Sequence, residues 1–157
     1  MKKILFILLI FNLSVLSFSS NETVFETQLI EKQGVIYHKN NHAPFTGRVI
    51  IKKDRNYYLN GKANGKWLTF YPNGNLKSIE NWKNGKLFGK FVLYQENGNK
   101  IFETVYLNGK DNGKYLLFHK NGVLQVQGTF SNGIPKGTWK YYNKSGKLVG
   151  KAVYPDK

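Results

Sequence analysis

From residue 60 onward, apolar and polar positions along the chain repeat with a period of 24 residues. The stretches NGKANGKWLTFYPNGNLKSIENWK, NGKLFGKFVLYQENGNKIFETVYL, NGKDNGKYLLFHKNGVLQVQGTFS and NGIPKGTWKYYNKSGKLVGKAVYP align without a gap. Inside them, short segments such as KWLTFY and NLKSIENW carry the β-branched and aromatic residues that suit strands. Asn-Gly separates such segments at 73–74, 97–98 and 121–122, with Ser145-Gly146 in the last copy. That dipeptide tolerates the positive φ angles of a tight hairpin turn. Each unit therefore reads as strand, Asn-Gly turn, strand, then a glycine-bracketed turn into the next.

Glycines hold three columns: Gly61, Gly85, Gly109 and Gly133; Gly65, Gly89, Gly113 and Gly137; Gly74, Gly98, Gly122 and Gly146. Aromatic residues hold three more. Trp67, Phe91, Tyr115 and Trp139 form the first, and Phe70, Tyr94, Phe118 and Tyr142 the second. Trp82, Tyr106, Phe130 and Tyr154 form the third. A single two-stranded unit buries too little to fold alone, so neighbours must share faces and backbone ladders. The expected fold is all-β, an elongated antiparallel meander of stacked hairpins advancing roughly 10 Å per unit. Trp67 and Phe70 stand three apart on one strand. Either a bulge realigns them or both faces of the sheet carry aromatics. An exposed column would be a stacking platform for a ligand.

Full units are expected at 60–83, 84–107, 108–131 and 132–155. APFTGRVIIKKDRNYYLNG, residues 43 to 61, reads as a truncated copy, with the short unit at 44–59. Gly47 takes the place of Gly65 and Tyr58 that of Trp82, and the six-residue deficit falls in the hairpin tip. Residues 20–43 lack the pattern and form an N-terminal leader or cap. At the other end Tyr154 falls on a terminal strand, whose edge is blunted by Lys147, Lys151 and Lys157.

The recurring G-x-aromatic-x-x-aromatic…N-G…aromatic-x-N-G pattern covers residues 44–156. It resembles the MORN-repeat variant family, and within it the bacterial proteins grouped as YwqK-type antitoxins of toxin–antitoxin systems. The resemblance implies a β-hairpin array used for binding or scaffolding, with protein or membrane partners. It also implies an alternative, an antitoxin- or immunity-like protein that neutralises a specific toxin. This sequence places Trp, Phe or Tyr after Gly-x, where the ordinary unit commonly has a second glycine.

The chain begins MKKILFILLIFNLSVLSFSS. Two lysines, an apolar run and small residues at Ser17 and Ser19 are the layout of a secretory signal peptide, expected at 1–19. The run falls short of the roughly 20 apolar residues that span a bilayer, and Asn12 interrupts it, which favours cleavage over an uncleaved anchor. Export to the periplasm, cell envelope or exterior follows, with no transmembrane span left after cleavage. There is no cysteine, so packing and hydrogen bonds must supply the stability.

The formal charge is +15, and the leader contributes only Lys2 and Lys3 to it. Such a balance selects anionic partners: nucleic acid, an acidic envelope polymer or an anionic lipid surface. Nucleic acid is disfavoured by export. Lys62, Lys86 and Lys110 share one column, and Lys66, Lys90 and Lys114 another. On a stacked array they form a positive ridge that either solvates the surface or tracks a polyanion. Ile134 and Thr138 replace both lysines in the last unit.

Catalytic chemistry finds no foothold. Gly61, Gly65 and Lys66 imitate a phosphate-binding loop, but three residues rather than four separate the glycines. Trp67 also stands where a magnesium-ligating hydroxyl belongs. A turn that recurs four times is architecture. His38 and His42 lack the cysteines or clustered acids that would complete a zinc site. Glu80, Glu103 and Asp111 occupy three different repeat positions, so no spacing singles out a carboxylate pair for glycoside hydrolysis. The sequence predicts a non-enzyme without cofactor or metal.

Overall fold

The computed structural model describes residues 22–155. The expected signal peptide, 1–19, lies outside them, as do residues 20, 21, 156 and 157. The chain forms strands β1 (Thr23–Phe25), β2 (Leu29–Lys32), β3 (Val35–His38), β4 (Gly47–Ile51) and β5 (Asp54–Leu59). There follow β6 (Lys62–Ala63), β7 (Gly65–Phe70), β8 (Leu76–Lys83), β9 (Lys86–Leu87), β10 (Gly89–Tyr94) and β11 (Lys100–Leu107). Last come β12 (Lys110–Asp111), β13 (Gly113–Phe118), β14 (Leu124–Ser131), β15 (Ile134–Tyr142) and β16 (Leu148–Tyr154). Fourteen of these make one sheet, and β2 pairs with β3 apart from it.

From β4 to β16 the sheet is an antiparallel meander in which each strand follows its neighbour in sequence. One pair departs from the expected pattern: β1 lies parallel to β4, Thr23 opposite Arg48. Register repeats with the sequence period. Gly65 faces Trp82, Gly89 faces Tyr106, Gly113 faces Phe130 and Gly137 faces Tyr154. In the shortened first hairpin Gly47 faces Tyr58.

The turns differ in kind from the sequence expectation. The Asn-Gly dipeptides with both φ angles positive are Asn60-Gly61, Asn84-Gly85, Asn108-Gly109 and Asn132-Gly133, at the junctions between units. The Asn-Gly pairs at 73–74, 97–98 and 121–122 sit in longer loops where only the glycine is left-handed. There the Gly74 amide donates to the Tyr71 carbonyl (2.8 Å) and the Tyr71 amide to the Asn75 carbonyl (2.8 Å), closing a three-residue loop. In this first loop Pro72 is compatible with that geometry, because its fixed φ near −65° suits the first position of a type I turn and not the left-handed start of a tight one.

Both lateral edges carry a bond from unit to unit. At the junction edge the amides of Gly61, Gly85, Gly109 and Gly133 donate to the carbonyls of Phe45, Ala63, Leu87 and Asp111, at 2.7–2.8 Å. At the tip edge Tyr71 Oη donates to the Tyr94 carbonyl (2.6 Å), and Asn75 Nδ2 to the Glu96 carbonyl (2.8 Å). Gln95 and Asn99 reach the Lys120 carbonyl, and Asn121 the Lys144 carbonyl.

Bulges do occur beside the second aromatic column, at Thr69/Phe70, Leu93/Tyr94, Leu117/Phe118 and Tyr141/Tyr142. They do not bring that column onto the first. Rings of the first and third columns touch one another: Trp67 and Trp82 at 5.2 Å between centroids, Phe91 and Tyr106 at 5.8 Å, Tyr115 and Phe130 at 5.5 Å, Phe130 and Trp139 at 4.9 Å. Phe118 instead lies beneath Lys100 Nζ, 6.0 Å away. Lys100 binds Glu103, which faces Val92 and so alternates away from the Phe91–Thr104 pair. Both faces carry aromatics, and the ring ladder occupies one of them.

The array's first end is capped. Val24, Phe45 and Val49 are buried, with Leu29 and Ile36 of the β2–β3 hairpin packed against them beside Tyr58. Phe45 joins the ladder through Tyr58 (6.3 Å), and His38 sets its edge on Phe45 (5.0 Å).

Candidate functional site

Strand alternation decides where the lysines go. Lys66, Lys90 and Lys114 each precede a first-column ring and therefore stand on the opposite face, across from Asn81, Val105 and Thr129. Lys62, Lys86 and Lys110 lie on the two-residue strands β6, β9 and β12 beside the junction turns, opposite Leu59, Lys83 and Leu107. All six are exposed. Each row repeats once per two-stranded unit, roughly 10 Å along the array.

The rows are not uniform. Lys90 Nζ pairs with Glu103 Oε1 at 2.7 Å, and Lys100 Nζ holds the other carboxylate oxygen at 2.6 Å. Burial alone would raise the Glu103 carboxyl; the two ammonium bonds outweigh it and hold the group below its ordinary value of 4.5. Lys90 is thus partly neutralised. Lys100 shares β11 with Glu103 while Lys90 stands on β10, so the meeting of all three is not visible until the register is known.

Two further acids of the repeat region serve their neighbours. Glu80 accepts from Ser78 Oγ (2.8 Å) and Trp82 Nε1 (2.9 Å), and Asp111 accepts from Thr104 Oγ1 (2.9 Å). Burial, and then the charge of Asp111, raise the phenols of Tyr106 and Tyr115. His38 bonds Glu22 (3.2 Å) and His119 meets the Tyr142 carbonyl (2.8 Å). Among the described residues no three His, Cys, Asp or Glu side chains gather as a metal site would require.

One concave feature was missed in the sequence. The first hairpin ends in the two-residue turn Lys52-Lys53, while the next tip runs on through Tyr71 to Asn75. The step between them leaves an open groove of about 400 Å³ lined by Ile51, Lys52, Lys53, Asp54, Phe70, Tyr71 and Pro72. Asp54 Oδ1 accepts the Phe70 amide (2.8 Å), tying the two hairpins at its floor. Arg55 Nη1 folds back onto the carbonyls of Lys53 (2.6 Å) and Asp54 (3.0 Å). The signal for this groove was the six-residue deficit, which leaves the second tip without a tip of equal length on its first-hairpin side.

No helix among the described residues is long and apolar enough to cross a membrane. No curated protein matches the chain. A glycosylation-associated protein (Gap123) complex from Streptococcus agalactiae is similar in structure, with a TM-score of 0.38 and 16% identity. The match covers 82% of this chain and 22% of that one, so the chain spans about a fifth of its neighbour's length. The MORN repeat variant family matches residues 63–84, 111–132 and 135–154. These segments fall in the hairpin array, all three begin at the same position of the 24-residue period, and the array carries MORN-variant repeats.

Proposed function

We propose that the chain is an exported, non-catalytic repeat module that binds a protein or an anionic component of the cell envelope. The observation that carries this is the exposed lysine set, Lys62, Lys66, Lys86, Lys90, Lys110 and Lys114, repeated along the array on a chain of formal charge +15. A row of point charges at regular spacing attracts a polyanion without demanding a particular shape from it. Lysine in place of arginine suits such loose electrostatic tracking better than bidentate phosphate recognition. Glu80, Glu103 and Asp111 are engaged by Lys, Ser, Thr and Trp neighbours, which favours a structural over a catalytic role for them.

Co-sedimentation with phosphatidylglycerol vesicles and with acidic polymers, at low and high salt, tests the reading. Binding should weaken as salt rises, because exposed charges are screened within about 8 Å at physiological ionic strength. Binding indifferent to salt counts against it. Affinity capture from the envelope fraction then identifies the partner. The antitoxin- or immunity-like alternative rests on the resemblance alone, and rescue of cells expressing a toxic neighbouring gene checks it.

A further inference from the structure

The 24-residue pattern breaks once, at the step above Lys52 and Lys53, and the break leaves unmet bonding positions. In later units the tip carbonyls are used. Tyr94 and Tyr142 accept from Tyr71 Oη and from the His119 ring, and Glu96, Lys120 and Lys144 accept from asparagine or glutamine side chains of the preceding tip. One period earlier, the counterparts are the carbonyls of Phe70 and Pro72. Among the described residues, the shortened hairpin sends neither of them such a side-chain bond. The missing six residues are the segment that would have done so.

What surrounds the gap has a definite chemistry. Its floor and wall are apolar, from Ile51, Phe70, Tyr71 and Pro72. Its rim is cationic. Lys53 Nζ lies against Gly74 of the neighbouring tip, and Lys77 Nζ stands 5.8 Å above the Tyr71 ring. Asp54, the acid in the groove, is occupied by the Phe70 amide. Lys52 has φ +56°, with Lys53 outside the left-handed region. A turn with its first residue alone left-handed ordinarily takes glycine there. A lysine held in that conformation, at the mouth of a groove, is a local cost in the fold.

We propose that this step binds an extended acidic peptide segment. The peptide takes the place of the missing hairpin tip: its amides donate to the Phe70 and Pro72 carbonyls, an apolar side chain fills the groove, and flanking carboxylates meet Lys52 and Lys53. Open backbone acceptors beside an apolar floor favour a peptide over a polysaccharide or a lipid headgroup. This rests on the binding-module reading and names its partner class and its site.

Amide NMR of the purified protein titrated with a synthetic peptide alternating glutamate and leucine tests it. Shifts are expected at Lys52–Arg55 and at Phe70, Tyr71 and Asn73. Lys52→Gly, which suits the turn's φ, combined with Lys53→Ala, should weaken binding at least tenfold. Lys86→Ala with Lys110→Ala should change it less than twofold. Loss of binding only in the second pair overturns the step while leaving the module reading intact. So does equal affinity for a glutamine–leucine peptide, or binding of the acidic peptide that the first pair does not touch. Failure of the acidic peptide, polygalacturonate and phosphatidylglycerol vesicles alike to bind the unmodified protein overturns the anionic reading itself.

Discussion

At the residue scale, two positions show how close the packing is. Gly128 faces Tyr115 across the hairpin, and a methyl group built on it would run into the six-membered ring of Trp139. Its φ is not in the left-handed region, so the demand for glycine here is purely steric. Gly128→Ala should cost about 1–3 kcal/mol in urea denaturation, by overpacking against a rigid indole. Gly98 is the contrasting case, with open space around it but φ +88°, and Gly98→Ala should cost about 1–2 kcal/mol through backbone strain alone. The second position is Glu103. Its carboxyl is held below 4.5 by Lys100 and Lys90, so its contribution is present at and above the ordinary carboxylate range and is lost as pH falls through the lowered value. Glu103→Gln should therefore be about 1 kcal/mol less stable near neutrality. The gap should close below pH 4.5 in paired melts. A gap that persists in acid would mean the residue acts by shape rather than charge.

At the element scale, the two kinds of Asn-Gly turn make different demands. Asn108 sits at φ +52° before Gly109, so positive φ is what the position requires. Asn108→Gly should be tolerated within about 0.5 kcal/mol, and Asn108→Ala should cost about 1 kcal/mol. Asn97 has an ordinary φ, and its Oδ1 accepts the Asn99 amide at 3.0 Å. Asn97→Gly should lose about 1 kcal/mol with that bond. Chemical denaturation of the three variants settles whether conformation or capping governs each turn. The dipeptide alone could not distinguish them, because both loops read Asn-Gly. What separates them is how many residues lie between the last paired positions, which depends on register. Pro72 did carry the clue in one unit, but its counterparts are Glu96, Lys120 and Lys144, so the period diluted it. The second aromatic column shows the same limit. Bulges beside Phe70, Tyr94, Phe118 and Tyr142 were foreseeable as one of two options, and only cross-strand contacts such as Lys100 over Phe118 tell which face the rings take. Glu103 and the step groove were illegible for that reason too: both arise between segments that the sequence keeps apart.

At the scale of the whole molecule, the period was legible because glycine and aromatic residues are needed at the same place in every unit, whatever the other residues do. Gly65, Gly89, Gly113 and Gly137 all adopt positive φ where the chain kinks between β6 and β7 and its equivalents. Along that kink, the four residues of β8 from Ile79 to Trp82 face six of the chain opposite, from Leu87 in β9 to Val92 in β10, and the same offset recurs between β11 and β12–β13. A register that returns every 24 residues means that units are interchangeable in the ladder. Excising residues 84–107 should then leave a folded array. Asn75 would reach the Lys120 carbonyl in place of that of Glu96, as Asn99 does in the intact chain, and the junction turn Asn108-Gly109 would follow Lys83 directly. The shortened protein should keep its β-type circular dichroism, lose roughly 10 Å of maximum dimension in small-angle scattering, and show a smaller denaturant m value as its exposed area on unfolding shrinks. Excising only 84–95 removes half a unit, reverses the direction of every later strand and sets ring columns against turn residues, so that variant should not fold cooperatively. Equal behaviour of the two deletions would mean that the shared ladder is not what holds the array together.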